Sequence, residues 1–244
     1  MSIYVVNHKN TSLTLPNNYI NFGVGDSKLL INDGSGDNIS QKNSNYCELT
    51  AMYWIWKNSS ELIVGLNHYR RIFMYEEICN DGIVQFSDIE ELLNNYDIIV
   101  PTIHHENQTV YDHYVNSHKK TDMDLTFEII KGMYPNYIDD FEYVMNQNNE
   151  YGFNILATHK ILFDEYCDWL FTILFNLEKI NNIDGYDDYQ KRVYGFLSER
   201  LFNVWLLHHK YKQKELPLKN IKWTKEKTFK KKQKKLSSPN YFLY

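Results

Sequence analysis

The chain has 244 residues, 43% of them hydrophobic and 16% aromatic, with a net charge of −5, which excludes a disordered polar chain and suffices for one large α/β domain. No apolar run approaches the ~18 residues of a membrane-spanning helix, and the opening MSIYVVNHKN lacks the charged start and long apolar region of a signal peptide. Three widely spaced cysteines, Cys47, Cys79 and Cys167, form neither a disulfide framework nor a zinc pattern and fit a reducing cytoplasm.

The charge is uneven. Lys222–Tyr244 holds eight of the lysines and one acidic residue, Glu226, so the preceding 221 residues carry a balance of −12. An acidic body with a basic tail points to a separate partner for the tail. The expected organisation is one domain over residues 1–221 and a basic tail over 222–244. An anionic membrane surface suits that tail, because each Lys near such a leaflet contributes up to about 1 kcal/mol. Nucleic acid is disfavoured, since the acidic body repels a duplex and no base-reading motif is present.

In chain order, Ile3–Val6 reads as a short strand ending in the polar Asn7, His8 and Lys9. A loop-rich stretch follows, centred on Asp33-Gly34-Ser35-Gly36-Asp37-Asn38, which is turn chemistry and neither a Walker A loop nor a dinucleotide fingerprint. Asn45–Lys57 reads as one helix, with Asn45 and Glu48 in capping-box spacing and Tyr46, Leu49, Tyr53 and Trp56 facing a core. The apolar run Leu62–Leu66 is a buried strand, and His68-Tyr69-Arg70-Arg71 stands at its carboxyl end. In open α/β sheets that edge is where ligands bind, and two permanent cations with two further polar groups suit an anion such as a nucleotide diphosphate.

Ser87–Asn95 reads as a helix capped by Ser87, Asp97–Pro101 as a strand, and His104–Lys120 as a long loop. The four histidines of that loop lack metal-ligand spacing. Asp122-Met123-Asp124 spells DxD, the sequence by which many nucleotide-sugar enzymes hold a divalent cation, yet its place before an amphipathic stretch suits a helix cap. Tyr137–Met145 is a further helix, Gly152–Thr158 a strand carrying Asn154 toward the site, and Leu162–Lys179 a long amphipathic helix. In the helix Tyr189–His208, Arg192, Gly195, Glu199 and Asn203 share one face. A mid-helix Gly costs roughly 1 kcal/mol relative to Ala, which is best justified where something approaches the backbone. Arg192 and Glu199 bracket that gap, either as a phosphate-binding and acid/base face or as a structural ion pair.

Four segments, Gly36–Ser40, Asn43–Asn58, Val64–Phe73 and Tyr189–Leu206, with Phe163–Phe171 in support, together resemble the DUF4422 family of bacterial capsular-polysaccharide and lipopolysaccharide glycosyltransferases. The likeness runs from the first strand to about Trp205. It implies a GT-A-like single domain, a Rossmann-like mixed sheet flanked by helices with a helical C-terminal part. It also implies transfer of a hexosyl unit from a nucleotide diphosphate sugar, of the UDP-galactose type or related, to a hydroxyl of a growing surface glycan. On that reading Glu199 is the catalytic base. Arg70, Arg71 and Arg192 bind phosphates, and His8, Asp37, Asn38, His68, Tyr69 and Asn154 complete the nucleotide and donor site. No DxD follows the central strand, so the arginines either neutralise the leaving group alone or are joined by Mn²⁺ or Mg²⁺ held elsewhere. The expected place is the cytoplasm, peripheral at the inner membrane beside a lipid-linked acceptor. The competing reading is a non-catalytic nucleotide- or carbohydrate-binding scaffold in a polysaccharide assembly complex, because fold does not fix function.

Overall fold

The computed structural model describes residues 2–9, 13–75 and 82–220. The basic tail Lys222–Tyr244 and Cys79 lie outside these described residues.

Ten strands and eight α-helices are described. In order they are β1 (Ser2–Asn7), β2 (Tyr19–Gly23), α1 (Asn43–Tyr46), α2 (Leu49–Asn58), β3 (Ile63–His68), β4 (Arg71–Phe73), α3 (Phe86–Leu93), β5 (Ile98–Pro101), β6 (His104–His105), α4 (Val110–Ser117), α5 (Lys120–Met133), α6 (Ile138–Met145), β7 (Asn149–Glu150), β8 (Leu156–His159), α7 (Lys160–Ile180), α8 (Val193–His209), β9 (Gln213–Leu216) and β10 (Leu218–Asn220). The main sheet is mixed. β2, β1 and β3 run parallel, β8 lies antiparallel between β3 and β5, and β9 adds parallel to β5. At the carboxyl end of β3 the chain turns into β4, which β10 joins antiparallel.

The sheet has an apolar core on each face. On one, Val6, Phe22, Val64 and Leu156 pack with the helices, above all the stripe Phe163, Tyr166, Leu170, Ile173, Leu174 and Leu177 of α7, the face expected from its 3.6-residue period. On the other, Ile3, Val5, Ile72, Phe73 and Ile99 pack with α3. β1 is buried along its whole length, as a strand covered on both faces must be. Gly65 stands where these layers are tightest. A Cβ there would lie 2.5 Å from Ile3 Cδ1, 3.1 Å from Ala157 Cβ and 3.2 Å from the Leu156 carbonyl oxygen. Overpacking of this kind costs about 1–3 kcal/mol, so Gly65→Ala should lower Tm by roughly 2–4 °C per kcal/mol in calorimetry.

The structure corrects several expected elements. The helix expected over Asn45–Lys57 is two helices broken at Cys47. The cap of α3 is Gln85, paired reciprocally with Asp88, and not Ser87. The His104–Lys120 loop contains β6 and α4, the latter capped by Thr109. Asp122 does not cap α5, whose N-cap is Lys119. Among the described residues, α7 and α8 make the helical C-terminal part, and after α8 the strands β9 and β10, not expected from the sequence, return to the sheet.

Candidate active site

β2, β1 and β3 all end at one edge of the sheet, and a cleft of about 580 Å³ opens there, a size suited to a nucleotide-sized ligand. Its lining comes from Val6 and His8 at the end of β1, Val24 and Asp26 after β2, His68 and Arg70 at the end of β3, Asn43, Ser44, Cys47 and Glu48 around the α1–α2 break, and Asp188, Lys191 and Arg192 before α8. Thus four of the residues expected at the site, His8, His68, Arg70 and Arg192, line one cavity.

The two histidines are neutral at pH 7. Burial, then the nearby Arg70, presses His68 down to about 3, and burial with Lys9, Arg70 and Arg192 lowers His8. The Arg70 N–H donates to His68 Nδ1 at 3.3 Å, which leaves the proton on Nε2 as a donor. The rings stand 6.3 Å apart. Arg192 Nε donates to Cys47 Sγ at 3.2 Å, and its guanidinium lies 5.2 Å from the Phe196 ring centre. Arg71 packs on the Phe153 ring at 4.0 Å, and Tyr69 is buried in the second core.

Three carboxylates line the cleft, and while Asp26 and Asp188 are exposed, Glu48 is half-buried; the sequence reading treated it as half of a capping box. Asn45 makes no such cap; its amide donates to the Lys191 carbonyl at 2.9 Å. Cys47 interrupts the helix with φ 53° and ψ −128°, a conformation that costs a non-Gly residue about 1–3 kcal/mol. Asn43 holds the break, its amide donating to the Cys47 carbonyl at 2.7 Å and to Thr50 Oγ1 at 2.9 Å. The break packs on α8 at Gly195, where a Cβ would stand in ordinary contact, 3.4 Å from Cys47 Cβ and Sγ. The consequence is that Glu48 turns into the cleft.

Asn154 aims it. The Asn154 amide nitrogen donates to Glu48 Oε1 at 2.7 Å and to the Gly195 carbonyl at 3.3 Å, while its oxygen accepts from Ser198 Oγ at 3.0 Å. Phe153 and Asn154 both have positive φ, 74° and 50°. The expected face of α8 braces this kinked segment. Asn203 donates to the Tyr151 carbonyl and accepts its N–H, and Glu199 Oε1 accepts the Phe153 N–H at 3.0 Å. Glu199 Oε2 accepts from Arg200 Nη1 at 2.8 Å. Both Glu199 oxygens are therefore engaged, and the residue stands outside the cleft lining. Burial outweighs Arg200 and, helped by the Glu48 and Glu150 charges, lifts Glu199 to about 7. Burial also raises Glu48, against Asn154, Arg192 and Arg71.

Asp37 and Asn38 do not line the cleft. The Asp37 carboxylate accepts from Tyr53 Oη at 3.2 Å, and its backbone pairs with the Asn58 amide. Asn38 Oδ1 accepts from the Ser40 N–H and hydroxyl. Gly36, at φ 59°, passes so close to Asn58 that a Cβ would collide with it. These bonds tie the turn to the end of α2. Asp122 and Asp124 are likewise engaged. Asp122 is buried and accepts from Asn181 and Tyr186, and Asp124 pairs with Lys120 and Tyr111. Among the described residues no three His, Cys, Asp or Glu side chains stand together as a metal-binding group.

The fold is a Rossmann-like mixed α/β sheet whose cleft, at the carboxyl edge of its parallel strands, sets Arg70, Lys191 and Arg192 among Asp26, Glu48 and Asp188. Residues 2–210 match the model of DUF4422, a domain of unknown function, and the chain belongs to that family. It is also similar to a solved structure described as the apo WbbM bifunctional glycosyltransferase, with a TM-score of 0.82 and 29% identity, over 90% of this chain and 45% of that one. The chain thus spans less than half the length of that relative. No curated protein sequence matches it.

Proposed function

We propose that the chain transfers a hexosyl unit from a nucleotide diphosphate sugar, a UDP-sugar of the galactose type, to a hydroxyl of a growing capsular or lipopolysaccharide glycan. The observation that carries this reading is Glu48, fixed by Asn154 at a cleft whose other walls supply Arg70, Arg192 and the neutral donor His68. In the proposed step the acceptor hydroxyl oxygen attacks the anomeric carbon while Glu48 takes its proton. The bond from that carbon to the diphosphate breaks, and the oxygen of the departing UDP keeps the electron pair. Arg70 and Arg192, with Arg71 behind them, neutralise the new charge, and His68 Nε2–H donates to a phosphate oxygen. Glu199 moves from the role of base to that of the carboxylate behind it, bracing the 151–154 segment.

The site so defined holds UDP among His8, His68, Arg70 and Arg192, and a crystal soaked with UDP should show density there. Density at Asp37 and Asn38 instead would restore the original donor assignment. The activity test is UDP release from a panel of nucleotide sugars by the purified protein, with and without EDTA. Release from one donor is expected, and it should persist in EDTA, because three arginines already face or flank the cleft. Loss in EDTA with rescue by Mn²⁺ or Mg²⁺ would assign diphosphate neutralisation to a metal. Tight UDP binding with no release from any donor would favour the scaffold reading. Peripheral attachment to an anionic membrane through Lys222–Tyr244 belongs to the same proposal, since a lipid-linked acceptor gives the tail a purpose. No helix among the described residues is long and apolar enough to cross a membrane.

A further inference from the structure

Between β2 and α1 lies the most exposed large apolar side chain among the described residues. Leu30 is 98% exposed and Ile31 46%, with Leu29 half-buried beside them and Lys28 before them. Solvent-facing aliphatic residues in a row are costly to solubility and mark a contact surface when the backbone presents them in a fixed way. Here it does. The Gly23 N–H donates to the Ile31 carbonyl at 2.9 Å and the Asp33 N–H to the Gly23 carbonyl at 3.0 Å, closing the neck. Within the loop the Leu29 N–H donates to Ser27 Oγ, and the Asn32 amide donates to the Leu29 carbonyl at 2.8 Å. The apolar tip is therefore a held projection.

Its position follows from the sheet. β2 runs parallel to β1 and β3, so the loop leaves from the edge where the cleft opens, and its own Val24 and Asp26 line that cleft. β10 runs antiparallel to β4 with Asn220 opposite Arg71, so the chain reaches that same edge at Asn220, two residues before Lys222 opens the Lys-rich stretch. Lys9, Arg70, Lys191 and Arg192 stand at that edge, with Asp26, Glu48 and Asp188 among them. An apolar tip preceded by Lys28, with a Lys-rich sequence following Asn220, matches the chemistry of an anionic lipid interface, apolar below the headgroups and negative at their level.

We propose that Leu29-Leu30-Ile31 is an interfacial prong that enters an anionic lipid surface and seats the mouth of the cleft against it. The glycosyl-transfer reading gives this contact a purpose, and the test is independent of that chemistry. The full chain is sedimented with vesicles of phosphatidylglycerol and phosphatidylcholine, at low salt and at high salt, where exposed charges are screened beyond a few ångströms. Wild type is expected to keep measurable binding at high salt, and Leu30→Ser/Ile31→Ser to lose at least about tenfold in partition there, because apolar insertion is insensitive to charge screening. Both proteins should melt at the same temperature. As a second measurement, Leu30→Trp fluorescence should be quenched by brominated acyl chains beyond the wild-type background. Equal sedimentation of variant and wild type with an unquenched Trp would overturn the proposal and leave the tail as the membrane contact. Absence of wild-type binding would overturn it as well. A wild-type dimer that the double variant dissolves would overturn it in favour of a second copy. UDP release in solution, measured alongside, is unaffected by the prong substitutions, so failure of the glycosyl-transfer reading is seen separately.

Discussion

Glu48→Gln is expected to lower turnover by about 10²–10⁴-fold, the range for removal of a general base, while UDP affinity changes little. A base acts on the proton that leaves in the transition state, so its loss appears in kcat and spares ground-state binding. The substitution keeps the amide-sized side chain at the α1–α2 break and removes only the charge. Asn154→Ala serves as the positioning control. It removes the donor to Glu48 Oε1, so kcat should fall less than in Glu48→Gln, with a displaced acid limb in the pH profile. Glu199 supplies a third reading. It stands near 7, raised in part by the Glu48 charge, and coupling between two carboxylates is reciprocal. Glu199→Gln should leave kcat at pH 8 near the wild-type value. Turnover lost in Glu199→Gln and retained in Glu48→Gln would return the base to Glu199.

What was legible in the sequence was whatever local pattern controls. The run Leu62–Leu66 announced a buried strand, and His68–Arg71 fell at its carboxyl edge because a parallel sheet exposes that edge to ligand. The stripe of α7 followed from its period. The break at Cys47 was not legible, since no Gly or Pro marks it; Asn43 holds it by a side-chain bond, and it packs on α8 at Gly195, 148 residues later. Glu48 was hidden for the same reason: its partner Asn154 is 106 residues away. The spacing from Asn45 offered a sufficient local explanation, and it was the wrong one. Asp37 and Asn38 stand away from the cleft lining, in the bonds of a turn tied to the end of α2. β9 and β10, Gln213–Leu216 and Leu218–Asn220, are short and largely half-exposed. They are strands because β5 and β4 offer edges, a property of the partners and not of their own residues.

Arg200→Met should destabilise the fold by about 3–5 kcal/mol, the cost of stranding a buried charge by removing its partner. Arg200 is only 5% exposed and sits between two carboxylates. Nη1 donates to Glu199 Oε2 at 2.8 Å and to the Phe196 carbonyl at 3.1 Å, and Nη2 lies 3.4 Å from Glu150 Oε1. Its guanidinium also lies 5.6 Å from the Tyr114 ring centre. Met fills much of the same volume, so the loss measures charge more than packing. The pH dependence follows from Glu199, whose folded value of about 7 exceeds the ordinary 4.5. A carboxyl raised on folding favours the fold below its unfolded value, and that contribution is lost as pH rises through the folded value. Without Arg200 the folded value moves higher still, so the part of the deficit due to Glu199 should be small at acid pH and grow as pH rises past neutrality. Urea denaturation of both proteins at pH 5.5 and pH 8 reads this directly. A deficit of equal size at the two values would show that Arg200 stabilises the α8 junction by packing and its Phe196 bond, with no contribution from balancing Glu199.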